Sequence, residues 1–321
     1  MNDIQNFTVI DGHVDLLYKM KKDKRNFSEY SQTGHCDLPR MKKGNVLAVL
    51  LAIYPSSKLN HILKGLDLWF KFISNPVNEF VQIRKVEDFK KAQNLGKRGA
   101  VLHFEGAGGI DDKFRLLRIG THLGLRSLGL SWSNINKYAT GAMFTDPQKT
   151  TGLTELGKKL VNEAQSLGIT IDVSHLNDPS FWDFYEISEK PFFASHSNAR
   201  SIANHPRNLT DDQIKAIHEK HGTVGINFSM GFLNTEKPGE ENYEMKFDTI
   251  KDHIDHIINI SDINTIAIGS DFDGTTTPNC LKDCSKFPDL WDYLLKNGYS
   301  NQDIDKISHK NLLRLFKETW N

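Results

Sequence analysis

Short runs of β-branched, aliphatic and aromatic residues recur along the chain, most of them followed by a polar loop and then by apolar residues at helical spacing. They fall at residues 8–13, 45–53, 100–105, 125–132, 169–175, 191–196, 223–229 and 265–271. The run at 45–53 is apolar without alternation, the pattern of a strand buried on both faces. Over residues 59–74, Leu59, Ile62, Leu63, Leu66, Trp69, Phe70 and Ile73 mark one helix that packs on a sheet. Leu156, Leu160, Val161, Ala164 and Leu167 mark another, closed by Gly168. Further helices are expected at 113–123, stopped by Gly124, and at 247–260. Asp178 before Pro179 reads as an N-cap with proline at the first helical position, and Thr210 as a second N-cap. Ser300 and Asp303 have the spacing of a capping box. Eight strands alternating with helices predict parallel strands joined by crossovers. The expected fold is α/β, a (β/α)8 TIM barrel, as one domain over residues 1–321.

Composition narrows the partners. Apolar residues make up 38% and charged residues 25%, the balance of a globular chain. Lys+Arg and Asp+Glu are 40 each, so neither a nucleic-acid nor an anionic-membrane partner is expected. The start, Met1-Asn-Asp-Ile-Gln, has neither a basic segment nor an apolar core of a signal peptide. The longest apolar run, 46–54, is too short to span a bilayer. A cytoplasmic location is the expectation, and the three cysteines, Cys36, Cys280 and Cys284, suit a reducing compartment. Cys280 and Cys284 lack the second pair that a structural zinc site needs.

The chemistry gathers at five of the eight run ends. His13 ends the first, with Asp15 two residues on and therefore on the same side; Glu105, His175, His196 and Asp271 end others. In a TIM barrel all of these open on the C-terminal face. Three imidazoles and three carboxylates there suit zinc or a similar divalent ion. One carboxylate, Glu105, is placed to bridge two ions about 3.5–4 Å apart, where a shared water becomes a nucleophile near neutral pH. A single histidine in such a position is ordinarily a satisfied core residue; five ligand-type ends at once reverse that reading. His103 shares a face with Glu105 one layer deeper and reads as barrel lining, while His253 and His256 read as packing or capping residues on a helix. Arg207, in the loop after the sixth run, suits a carboxylate clamp, although alone it would read as a loop tie. The long polar loop 133–152, with Asn134, Asn136, Tyr138 and Gly141, reads as functional.

Taken together, the motifs Asp11-Gly-His-Val-Asp15, Phe104-Glu-Gly106, Asp172-Val-Ser-His175, Ala194-Ser-His-Ser-Asn-Ala-Arg200, His205-Pro-Arg-Asn208 and Gly269-Ser-Asp-Phe-Asp-Gly274 resemble the membrane (renal) dipeptidase family, peptidase family M19, of the amidohydrolase superfamily. The resemblance extends over nearly the whole chain, to Lys286-Phe-Pro-Asp-Leu290 and Asn311-Leu-Leu-Arg-Leu-Phe316. It implies a homodimeric metallo-dipeptidase with two zinc ions, acting on dipeptides, D-residues at the C-terminal position included, by attack of a metal-bridging hydroxide. It carries His13 and Asp15 to the first ion, His175 and His196 to the second, and Glu105 to the bridge. It carries Arg207 to the substrate's carboxylate and Asp271 to proton transfer. One position departs: mammalian members bear a histidine, thought to polarise the scissile carbonyl, where this chain has Trp132, which offers one N–H and does not titrate. Trp132 and Asn134 are therefore the expected substrate contacts on that side, with Asn134 or Asn136 as replacement donor. The competing readings are another amidohydrolase reaction, deamination or cyclic-amide hydrolysis, and a metal-binding relative without turnover.

Overall fold

A computed structural model describes residues 7–234 and 244–320. Its strands are β1 (Val9–Val14), β2 (Val46–Ile53), β3 (Phe80–Ile83), β4 (Arg98–Phe104), β5 (Leu125–Gly129), β6 (Thr170–Asp172), β7 (Phe193–Ala194), β8 (Thr223–Ile226) and β9 (Ile266–Ile268). The neighbour order β2-β1-β9-β8-β7-β6-β5-β4 closes through a β2–β4 pairing, and every ladder is parallel. The result is the expected closed eight-stranded (β/α)8 barrel. β3 is an addition. It pairs with residues 98–101 of β4, whereas β5 joins β4 only from Leu102 onward. The ninth strand thus fills the gap left where β5 diverges, and the ring stays at eight.

The helices at Leu59–Ser74 and Phe247–Ile260 have the expected bounds, and Glu155–Ser166 and Arg115–Leu123 are close to theirs. One cap differs. Asn177, not Asp178, caps the helix Asp178–Ile187, because its side chain accepts the N–H of Ser180; Pro179 therefore takes the second helical position. The expected Ser300–Asp303 capping box forms, and the N-cap Thr210 makes a second box with Gln213.

Two features direct the chemistry to one end. The C-terminal segment ties itself to the start of β6, where Trp320 Nε1 donates to Thr170 Oγ1 at 3.0 Å, and to β9, where Asn311 Nδ2 donates to the Ile266 carbonyl at 2.7 Å. These bonds cover the N-terminal mouth and leave the C-terminal one open. At that open end the backbones of β7, β8 and β9 approach closely. A Cβ on Gly225 would stand 2.0 Å from the Ser195 carbonyl oxygen, and one on Gly269 only 1.7 Å from it. Gly269→Ala should therefore force backbone apart beside His196 and lower unfolding free energy by about 2–3 kcal/mol. Urea denaturation measures this, and an unchanged midpoint would contradict the packing argument.

Candidate metal centre

From β4 onward the observed strands end earlier than the apolar runs, so most of the chemistry sits on the first loop residues. Glu105 lies one residue past β4, His196 two past β7, and His175 and Asp271 three past β6 and β9; His13 alone is within a strand. Two of these loops turn sharply, at His175 and Asp271 with φ of 71° and 61°, as does the loop after β5 at Ser133 with φ of 48°. Left-handed backbone on non-glycine residues is strained, and it concentrates where a side chain must be aimed.

The aim converges on Glu105. Its Oε1 lies 3.0 Å from His175 Nε2, 3.7 Å from His13 Nε2 and 3.8 Å from His196 Nε2. His13 Nε2 is 3.5 Å from Asp15 Oδ2, and the Nε2 atoms of His175 and His196 are 2.8 Å apart. Two buried triads of potential ligands result, His13–Asp15–Glu105 and Glu105–His175–His196, and Glu105 belongs to both. A third grouping joins His13, Asp172 and His196, yet the carboxylate of Asp172 is engaged elsewhere. Its oxygens accept the backbone N–H groups of Ser174 and Ser195, both at 2.9 Å, and the Ser195 hydroxyl at 2.5 Å.

The fit to metal rests on groups left without partners. Among the described residues, both ring nitrogens of His13 and Oδ1 of Asp15 are buried without a hydrogen bond, which costs free energy unless something else satisfies them. Burial works against charge on His13, but Glu105 and then Asp15 outweigh it and push the imidazolium up to about 10. Burial, then the Arg207 and His13 charges, hold His175 well below its ordinary value; burial and then His13 do the same to His196. Burial, then Asp15, raises Glu105 well above the usual carboxylate range and lifts Asp271 to about 7. The pocket thus holds excess negative charge that a proton on His13 balances and that divalent cations balance better.

The ligands have fixed backs. His175 Nδ1 shares a 2.6 Å hydrogen bond with Ser133 Oγ, and His196 Nδ1 a 2.6 Å bond with Ser195 Oγ. These leave each Nε2 facing the centre, the arrangement that orients metal-bound imidazoles. Ser195 was visible beside its histidine in sequence; Ser133, 42 residues from His175, carried no signal. His103 lies below, on Ser127 Oγ at 2.9 Å and edge-on to His13, as barrel lining. His253 ties the Ala199 N–H to the Leu233 carbonyl, and His256 reaches Asp211, so neither takes part. Among the described residues no cysteine joins a group of three potential ligands.

Above the triads opens a cavity of about 630 Å³ whose walls include Asp15, Glu105, His175, His196, Arg207 and Asp271. Asp271 Oδ2 accepts Asn227 Nδ2 at 3.0 Å. Asn227, a polar residue at the end of an apolar run, escaped the sequence reading. Arg207 is buried over the Phe232 ring; its Nη2 donates to the His196 carbonyl at 3.1 Å and its Nε has no partner. Trp132 and Asn134 both line the cavity, the Trp132 ring 4.9 Å from that of Tyr54 and 5.9 Å from that of His175. Asn136 does not: its amide is engaged by the Leu130 carbonyl and by the N–H groups of Tyr138 and Ala139.

The chain is similar to known proteins along nearly its whole length. The sequence profile of the family described as membrane dipeptidase (peptidase family M19) matches residues 2–321. An uncharacterised protein from the pqqA 5′ region of Klebsiella pneumoniae is 39% identical over 83% of this chain and 98% of its own length. The uncharacterised dipeptidase C965.12 of Schizosaccharomyces pombe is 28% identical over 97% of this chain and 80% of its own. A metallopeptidase from Rhodobacter sphaeroides, crystallised with a phosphinate mimic of the dipeptide L-Ala-D-Ala, superposes with a TM-score of 0.89 at 31% identity, covering 98% of this chain and 100% of that one.

Proposed function

We propose that this chain, a metallo-dipeptidase that belongs to the membrane dipeptidase family (peptidase family M19), works with two zinc ions on dipeptides that have a free C-terminus, D-residues there included. The observation that carries the zinc count is the shared position of Glu105 Oε1, within 3.8 Å of three imidazole nitrogens. His13 and Asp15 would hold one ion, His175 and His196 the other, and Glu105 both. Imidazole and carboxylate donors of this number suit zinc. Bound there, the ions would polarise the scissile carbonyl and lower the pKa of a water between them.

The chain's own residues supply the rest. Asp271 faces the cavity with one oxygen held by Asn227, leaving the other to take the proton of the nucleophilic water and return it to the leaving amine. Arg207, charged and without a carboxylate partner among the described residues, receives the substrate's terminal carboxylate. Trp132, against Tyr54, forms an aromatic wall of the cavity for the substrate to pack on. A D-residue is included because the Rhodobacter relative was crystallised with an L-Ala-D-Ala mimic.

The direct test is metal content by mass spectrometry with a screen of L,L- and L,D-dipeptides. Two zinc per chain and hydrolysis are expected; two zinc without hydrolysis of any dipeptide would overturn the reading. A second measurement addresses the ligand supports. Ser195→Ala removes the hydroxyl between Asp172 and His196 and should weaken zinc binding about 10- to 100-fold by competitive chelator titration. Unchanged affinity would show that His196 needs no such support.

A further inference from the structure

Tyr18, Lys22, Gly274 and Thr275 line the catalytic cavity and also a second cavity of about 640 Å³ beside it. Lys19, His35, Asp273 and Lys282 line its remaining sides. Three lysines thus face one acid, and that acid is already engaged. One Asp273 oxygen takes the Arg25 guanidinium, and the other accepts the His35 N–H at 2.6 Å. Lys19 has Asp23 at 3.4 Å, whereas among the described residues Lys22 and Lys282 form no ion pair. Lys22 stands 5.9 Å from the Tyr18 ring centre. His35 Nδ1 accepts the Asp273 N–H at 2.9 Å, which places the ring proton on Nε2 as a neutral donor. Burial, then Lys19 and Arg25, hold that imidazole down to about 4.

Gly274 joins the two spaces. A side chain there would start 2.1 Å from Asp15 Oδ2 and 2.4 Å from Asp271 Oδ1, so the backbone runs close over both carboxylates and nothing projects into the passage. Arg207 also lines the catalytic cavity, bonded to the His196 carbonyl. With the substrate's carboxylate on Arg207, the walls shared by the two cavities, Tyr18, Lys22, Gly274 and Thr275, are what the catalytic cavity offers the N-terminal residue on the side of the second one. We propose that the second cavity is a subsite for an acidic side chain on that N-terminal residue, held by Lys22 and Lys282 with the His35 Nε2–H as third donor. The inference rests on the dipeptidase reading and on Arg207 as the carboxylate clamp, and adds the substrate class.

The test compares kcat/KM of the zinc-loaded enzyme for Glu-Ala, its isostere Gln-Ala, and Ala-Glu. Glu-Ala is expected to exceed Gln-Ala by about three- to tenfold, the scale of one or two partly exposed charge pairs, with the gap narrowing as salt rises. It is also expected to exceed Ala-Glu. A Lys22→Met, Lys282→Met double variant should bring the Glu-Ala to Gln-Ala ratio to about one. Equal rates on Glu-Ala and Gln-Ala, or a preference that survives the double substitution, would overturn the subsite while leaving a working dipeptidase. A preference for Ala-Glu instead would overturn its assignment to the N-terminal residue. No hydrolysis of any of the three would overturn the subsite, and the dipeptidase reading falls with it only if the L,L- and L,D-dipeptide screen is also negative.

Discussion

Asp271→Asn is expected to lower kcat by about 10³-fold while the zinc content stays at the wild-type value, the scale of losing a general acid–base. The substitution is nearly isosteric, and its backbone position favours it. Asp271 has φ of 61°, a left-handed conformation that asparagine adopts readily. The new amide keeps an acceptor for Asn227 Nδ2, so the 3.0 Å bond survives. What it loses is the capacity to hold a proton between water and leaving amine. Asp271 also faces Asp15, whose charge is one of the causes that raise it, so the neutral amide relieves repulsion and leaves the ligands undisturbed. Steady-state kinetics with metal analysis of the same sample separates the outcomes. Substantial turnover would remove Asp271 from proton transfer, and lost zinc would make it a ligand instead.

The residues that make chemistry were legible because each ended an apolar run. His13, Glu105, His175, His196 and Asp271 are titratable side chains where a strand should stop, a placement that a barrel converts into a common focus. The ring of eight followed from strand–helix alternation, since apolar runs with helical segments between them permit few other closures. β3 was not legible. Its four residues, Phe80–Ile83, include the polar Gln82 and only half are buried, so the run is too short and too polar to stand out. The hydrogen-bond partners were hidden for another reason. Ser133 reaches His175, and Asp172 reaches Ser195, through loop conformations with no sequence period. The C-terminal bounds of β5 to β9 were overestimated because these strands stop at Gly129, Asp172, Ala194, Ile226 and Ile268, and beyond three of them His175, His196 and Asp271 line the cavity.

Arg207→Ala should lower kcat/KM on substrates with a free C-terminal carboxylate by about 10²- to 10³-fold, the usual result of truncating one partner of a buried charge pair. The guanidinium is 4% exposed, yet among the described residues it forms no ion pair, and its Nε has no acceptor. A buried cation is costly unless a charge meets it, so a site that retains one is built for an anionic ligand. Arginine's planar fork matches a carboxylate with two parallel N–H bonds. The competing account is structural: Arg207 holds the His196 carbonyl and covers Phe232, so its loss could instead misplace a ligand. C-terminally amidated dipeptides separate the two accounts. A clamp gives wild-type selectivity for the free acid over the amide that collapses in the variant, with zinc affinity unchanged. A support for His196 gives equal losses on both substrates together with weakened zinc binding, and that pattern would reassign Arg207 from substrate to metal site.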